Sequence, residues 1–93
     1  MKTNESRFNM VLQEMLTLYI RKNHDYGDSF HRSYQTYGTT MAAIRLGDKM
    51  NRFESLTRTD KKVGDESIRD TLIDLACYAV MTIMELDGDK HDD

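Results

Sequence analysis

The fold is decided by residues 65–86, DESIRDTLIDLACYAVMTIMEL. Apolar residues recur there at three- and four-residue spacing, which predicts a helix. A helix that is apolar on all sides must be surrounded by other elements, and the C-terminal half of this one carries two opposite apolar faces. One face has Ile68, Leu72, Leu75, Ala79, Ile83 and Leu86, and the other has Cys77, Val80, Met81 and Met84.

The rest of the chain supplies further helices to pack against this one. Apolar periodicity predicts a helix over residues 4–23 and another over residues 39–56. The connection between them, residues 24–38, reads HDYGDSFHRSYQTYG and has room for a short fourth helix at residues 29–34. Proline is absent from the chain. The predicted fold class is therefore all-α, a small bundle of three main helices.

The size of the chain points to assembly. Its 93 residues make one domain, predicted over residues 1–86, and Gly88 is expected to end the last helix. Residues 87–93, DGDKHDD, are then predicted to be an acidic flexible tail. Because three helices are too few to surround an all-round apolar helix, we predict a homo-oligomer, a dimer or larger.

Composition excludes several classes of function. Thirteen Lys and Arg against 16 Asp and Glu give a net charge of −3, so the electrostatic footprint of a nucleic-acid-binding protein is missing. A single cysteine, Cys77, rules out a disulfide framework. No apolar run reaches the ~20 residues that span a bilayer, and no leader pattern starts the chain. We therefore expect a cytoplasmic protein. The sequence contains neither a P-loop motif nor a Rossmann motif.

Three aspartates on neighbouring helices form a candidate site, and two of them, Asp70 and Asp74, lie where burial begins. Asp70 and Asp74 lie one turn apart on the last helix, and Asp48 lies on the preceding helix. Buried carboxylates need a cation, and carboxylates on facing helices of a bundle hold metal ions. We predict that the three share Mg²⁺. The alternative, that Asp70 only pairs with an arginine of the preceding helix, stays open.

Basic and aromatic residues provide candidate contacts to a ligand. Arginine guanidinium groups match phosphate oxygens, and tyrosine rings stack on bases. The alternatives are a solvated charged helix face and a small aromatic core under the connection. The predicted substrate-binding residues are Lys22, His24, Asp25, Tyr26, Arg45, Lys49 and Arg52.

Three blocks of the chain, taken in order, resemble one protein family. They are residues 22–30, KNHDYGDSF, residues 44–56, IRLGDKMNRFESL, and residues 65–86. Together they resemble the nucleotide modification associated domain 1 family, small proteins found largely in phages and prophages. That family is in turn similar to the MazG-like all-α nucleoside triphosphate pyrophosphohydrolases. The resemblance implies an all-α fold and a nucleotide ligand.

These hydrolases hold Mg²⁺ against the substrate's phosphates with an ExxE motif on one helix and an ExxD motif on the next. By position, Asp48 matches the last acid of ExxE, and Asp74 matches the last acid of ExxD. Arg45 and Thr71 stand where the two motifs begin, and Asp70 adjoins Thr71. The resemblance therefore implies a ligand set in which two of the four acids are replaced.

Three functions follow as hypotheses. The first is a Mg²⁺-dependent nucleotide pyrophosphohydrolase or related nucleotide-modification protein, with Asp48, Asp70 and Asp74 as catalytic and metal-binding residues. The second is a non-catalytic protein that sequesters a nucleotide or cyclic-nucleotide signal, which Arg45 favours. The third is a structural or interaction protein whose apolar helix serves only assembly. The expected partners are a nucleotide and further copies of the chain, with no nucleic acid and no membrane.

Overall fold

Four helices make up the described part of the chain. The computed structural model describes residues 2–58 and 65–91, apart from the side chains of Tyr26, Asp65, Glu66, Lys90 and His91. Within these residues no helix is long and apolar enough to cross a membrane. The helices are α1 (Asn4–Tyr26), α2 (Ser29–Tyr37), α3 (Thr39–Arg58) and α4 (Asp65–His91).

The predicted all-α class is confirmed. Glycines set the C-terminal ends of α1 and α2. Helix α1 runs three residues past its predicted end at Asn23 and stops at Gly27, whose φ is +52°. The short fourth helix is present as α2 but is longer than residues 29–34, because Gly38 ends it with φ +65° and donates its N–H to the Tyr34 carbonyl. Glycine adopts this left-handed conformation without steric cost.

The prediction that Gly88 ends the last helix is wrong. Helix α4 continues through Gly88 to His91, where the sequence predicted a tail. One interior glycine costs a helix only about 1 kcal/mol. The added turn also has a tertiary contact, since the Tyr34 hydroxyl donates a 3.0 Å hydrogen bond to Oδ2 of Asp89. Residues 92–93 lie outside the described residues.

The core lies where α2 crosses the packed pair α3 and α4. Most of its buried side chains come from α2 and the first turn of α3, and Tyr78 and Met81 of α4 pack against them. Thr71 and Ile73 of α4 are buried as well. The buried cluster consists of Phe30, Tyr34, Met41 and Ala42. The position of α2 is therefore fixed by apolar burial from its inner face.

Two polar contacts hold α2 against the C-terminal half of α4. His31 Nδ1 lies 2.7 Å from Oε1 of Glu85, and one turn later Tyr34 bonds Asp89. The hydrogen bond to Glu85 raises the pKa of His31, and the charges of Glu85 and Asp28 act in the same direction. Burial, followed by the contact with Asp89, raises the pKa of Tyr34. These contacts clamp α2 across α4.

The clamp makes stability depend on pH. Because the folded-state pKa of His31 is raised, the contact contributes fully below about pH 6.5 and is lost as pH rises through the folded-state value. Melting temperatures measured at about pH 6 and about pH 8 should therefore fall more for the wild type than for His31→Gln. The exposed His24 is the matched control, and His24→Gln should keep the wild-type slope. Equal slopes for wild type and His31→Gln would contradict the clamp.

Helix α1 is attached to the rest of the fold by a polar bridge. Both guanidinium nitrogens of Arg69 donate to the Glu14 carboxylate at 2.7 Å, and this contact lowers the pKa of Glu14. The apolar stripe of α1 is covered only in part, and Leu16 is 51% exposed. One side of the bundle is therefore still open.

Candidate functional site

A pocket opens between α1, the start of α2, α3 and α4. Its volume is about 320 Å³, at the lower end of the ~300–1,000 Å³ typical of small-ligand sites. Three charged and three aromatic side chains are among its lining residues. The lining residues are Leu18, Tyr19, Lys22, Asn23, Ser29, Phe30, Arg45, Asp74, Cys77, Tyr78 and Met81.

Aromatic rings form one wall of the pocket. The rings of Phe30 and Tyr78 stack with centroids 5.9 Å apart and an interplanar angle of 24°. The guanidinium carbon of Arg45 lies 6.0 Å from the centroid of the Tyr78 ring, at the limit of a cation–π contact. Tyr19 contributes a third ring. Flat rings and a cation therefore occupy the same wall.

An ion-pair network lies beside the aromatic wall. Asp74 pairs with Nζ of Lys22 on α1 at 3.4 Å and with Nζ of Lys49 on α3 at 3.0 Å. Its side chain is 30% exposed, so water screens both pairs in part. One carboxylate on α4 thus connects three helices.

Cys77 adds no nucleophile to the pocket. Burial raises the pKa of its thiol, the charge of Lys22 opposes that shift, and Asp74 adds to it. The thiolate is the reactive form of cysteine. A thiol with a raised pKa is protonated at neutral pH and acts as a small apolar lining group.

The structure brings some of the predicted site residues together and not others. Lys22, Arg45 and Asp74 line the pocket, and Lys49 adjoins it through Asp74. The side chain of Tyr26 lies outside the described residues. The remaining predicted residues are exposed and do not line the pocket: His24, Asp25, Asp48, Arg52 and Asp70.

The three predicted metal ligands do not form a cluster. Within residues 2–58 and 65–91, no three His, Cys, Asp or Glu side chains are grouped so that they could hold a metal ion. Asp74 has two ammonium partners, whereas Asp48 and Asp70 are exposed. Asp70 makes no ion pair with an arginine of α3 in the described part of the chain. This arrangement does not fit a three-carboxylate Mg²⁺ site, and no metal-dependent step is derived from it.

Sequence reasoning did not single out the rings of the pocket wall. Tyr78 follows Asp74 by four residues and Tyr19 precedes Lys22 by three, so each shares a helix face with a charged residue that was singled out. Phe30 lies in the aromatic connection, where the prediction considered mainly the tyrosines. Helical spacing from Lys22 and Asp74 would have identified two of the three rings.

The pairing of Asp74 leads to a stability prediction. Asp74→Asn should lower the free energy of unfolding by about 1 kcal/mol, the upper end for partly exposed pairs, because two lysines lose their shared anion. Urea unfolding without metal measures this change, and Asp70→Asn, at an exposed position, is the control and should stay within about 0.5 kcal/mol of wild type. If Asp74 were instead a metal ligand, the variant would be at least as stable as wild type without metal and would lose stabilisation by Mg²⁺.

Comparison with known proteins gives one match. A family model described as nucleotide modification associated domain 1 matches residues 22–86. The matched segment begins at Lys22, contains all of α2 and α3, and includes every charged residue of the pocket. No curated protein and no solved structure matches the chain.

Proposed function

The chain belongs to the nucleotide modification associated domain 1 family, and from that premise we propose that its pocket binds a nucleotide without transforming it. The observation that carries the proposal is the meeting of cationic and aromatic side chains in one cavity. Lys22 and Arg45 supply positive charge, and Tyr19, Phe30 and Tyr78 supply ring surface. A nucleotide has the complementary parts, an anionic phosphate and a flat base.

The two cations suit different parts of a phosphate group. Arg45 offers a planar fork of N–H donors that binds phosphate oxygens in pairs. Lys22 offers a point charge on a flexible stem, and its side chain is 58% exposed, so it can turn toward a ligand. The half-buried rings of Tyr19 and Tyr78 offer surface on which a base gains stacking energy, and the buried Phe30 supports the Tyr78 ring by stacking on it.

The size of the pocket favours a mononucleotide. A volume of about 320 Å³ is small for a ligand site, and among the residues that the structure describes two cationic side chains line it. A dinucleotide or a polynucleotide would extend far outside the cavity. The acidic net charge of the chain, −3, also disfavours a long polyanion.

Asp74 acts in this proposal as an internal competitor of the ligand. Its carboxylate forms salt bridges with the ammonium groups of Lys22 and Lys49. An incoming phosphate would be attracted to the same two positive charges. Removing the Asp74 charge should therefore strengthen nucleotide binding while it weakens the unliganded fold. A role for Asp74 in holding a metal–phosphate complex predicts weaker binding for the same variant.

A Mg²⁺-dependent nucleoside triphosphate pyrophosphohydrolase is the second candidate function. Its support is the location of Asp74 in the pocket wall, at the position that matches the last acid of ExxD. Against it stand the two lysines on Asp74 and the exposure of Asp48 and Asp70. This candidate predicts product formation, which the binding proposal excludes.

One set of measurements separates these functions. Calorimetric titration with adenosine, AMP, cyclic AMP and ATP, and with the guanine, cytosine and thymine series, is run once with Mg²⁺ and once with EDTA. Chromatography of each mixture follows. We expect binding of at least one phosphorylated ligand, no binding of the matching nucleoside, and intact ligand in EDTA and in Mg²⁺. Release of pyrophosphate would favour the hydrolase, and no binding of any ligand would favour a purely structural role.

A further inference from the structure

An apolar groove lies between α1 and α4 and shares Tyr19, Cys77 and Met81 with the pocket described above. Its volume is about 260 Å³, and every residue along it is apolar or weakly polar. Together with the exposed apolar side chains around it, the groove forms part of an apolar face, and contiguous apolar surface larger than a few hundred Å² marks an interaction site. The groove is lined by Leu12, Met15, Leu16, Tyr19, Cys77, Val80, Met81 and Met84.

The side chains along the groove are solvated in the single chain. Leu16 is 51% exposed, Val80 44% and Met84 47%. These residues come from two helices whose mutual packing is less extensive than that of α3 and α4. Leu16 and Val80 therefore meet water on surfaces that their own chain leaves uncovered.

The solvent-accessible surface of the chain is larger than that of a typical folded monomer of the same mass. The chain exposes 7430 Å², whereas a folded monomer of 10.9 kDa exposes about 5,600 Å² by the scaling of area with mass. The excess is about 1,800 Å², and a stable interface buries about 800 Å² on each partner. The radius of gyration, 15.2 Å, likewise exceeds the about 12 Å expected of a compact domain of this length.

We propose that a second copy of this chain covers the groove, face to face, so that α1 and α4 of each protomer pack against α1 and α4 of the other. A two-fold arrangement lets one self-complementary surface cover two grooves at once. The excess of about 1,800 Å² is larger than the about 800 Å² that each partner of a stable interface buries, so each protomer has enough uncovered surface for such an interface. The proposal does not depend on the identity of the ligand in the pocket.

The dimer has a consequence for the pocket. Tyr19, Cys77 and Met81 border both the groove and the pocket, so a copy seated on the groove packs against the back of the aromatic wall. Helix α3, which carries Arg45 and Lys49, lies outside the groove lining. The partner would therefore support the wall and leave the cationic side accessible.

Sedimentation equilibrium of the full chain between about 1 and 50 µM, the range in which a stable dimer persists, tests the proposal. We expect the wild type to sediment with twice the mass of the chain. Leu16→Glu and Met84→Glu, one on each wall of the groove, should shift it to the monomer, because a dimer would bury the new charges without partners. Ile44→Glu, at an exposed apolar residue of α3 outside the groove, is the control and should remain dimeric.

Circular dichroism separates dissociation from unfolding. Because Leu16 and Met84 are exposed in the single chain, both variants should keep their helical signal at low temperature, and their melting temperatures should lose the concentration dependence of the wild type. If a variant unfolds, the sedimentation mass of the wild type still shows whether the chain forms a dimer. A monomeric wild type across the whole range overturns the proposal. Dissociation by Ile83→Glu, on another exposed face of α4, with Leu16→Glu unaffected, also overturns it.

Discussion

Phe30→Ala should destabilise the protein by about 3 kcal/mol, the range for truncating a buried phenylalanine. Phe30 is 8% exposed, belongs to the buried cluster that fixes α2, and stacks on Tyr78. For a domain of this size the loss corresponds to a melting temperature lower by about 12–24 °C. Thermal and urea unfolding at a fixed protein concentration measure the change.

Phe8 provides the matched control for this substitution. It is also a phenylalanine on a helix, but it is 69% exposed, so Phe8→Ala should change the free energy of unfolding by no more than about 0.5 kcal/mol. The difference between the two changes in the free energy of unfolding therefore measures the effect of burial, because both variants lose the same ring. If both variants had the same small effect, the packing of α2 across α3 and α4 would be wrong.

Arg45→Gln should weaken nucleotide binding by at least about tenfold. Arg45 lines the pocket and supplies both a positive charge and the fork of donors that phosphate prefers. Hydrogen bonds to charged groups contribute about 1.5–3 kcal/mol, which corresponds to roughly 10- to 100-fold in affinity. Calorimetric titration with the tightest nucleotide of the panel measures the loss, and binding of the matching nucleoside should remain negligible.

Arg52→Gln is the control for charge. Arg52 lies on the same helix as Arg45 and carries the same charge, but it is exposed and does not line the pocket. Its removal should change affinity less than about threefold, since exposed charges more than a Debye length of about 8 Å away are screened at physiological salt. Equal losses for both arginines would indicate non-specific attraction to a basic helix face.

The sequence predicted the helices better than it predicted their ends. Apolar periodicity identified α1, α3 and α4 because each has one face that repeats every three or four residues. Periodicity does not locate the ends. Helices α1 and α2 end at Gly27 and Gly38, whose positive φ is a local feature of the chain, whereas the last turn of α4 has a tertiary contact. Helix α4 passes Gly88 and reaches Asp89, which accepts a hydrogen bond from Tyr34, a residue 55 positions away along the chain.

The site was predicted in part for a related reason. Lys22, Arg45 and Asp74 were singled out for their charge, and all three line the pocket. Their pairing was not predictable, because Lys22 meets Asp74 across 52 residues of chain and helical spacing relates only residues on one helix. Asp48 and Arg52 share a helix with Arg45, but they are exposed and do not line the pocket. Arg52 lies on nearly the same face of α3 as Arg45 but two turns further along the helix. Tertiary packing decides which turn of α3 lies at the pocket, and the sequence pattern does not contain that.

The measurement that tests the central proposal most directly is a nuclear magnetic resonance titration of the isotope-labelled protein with the best-binding nucleotide and with its nucleoside. The nucleotide should shift the side-chain signals of Lys22 and Arg45 and the ring signals of Tyr78. Arg52 should be unaffected, and the nucleoside should cause no comparable change. Shifts confined to Arg7 and Arg69, the arginines of the shallow depression beside the start of α1, would contradict the account. So would a nucleotide that shifts none of these signals.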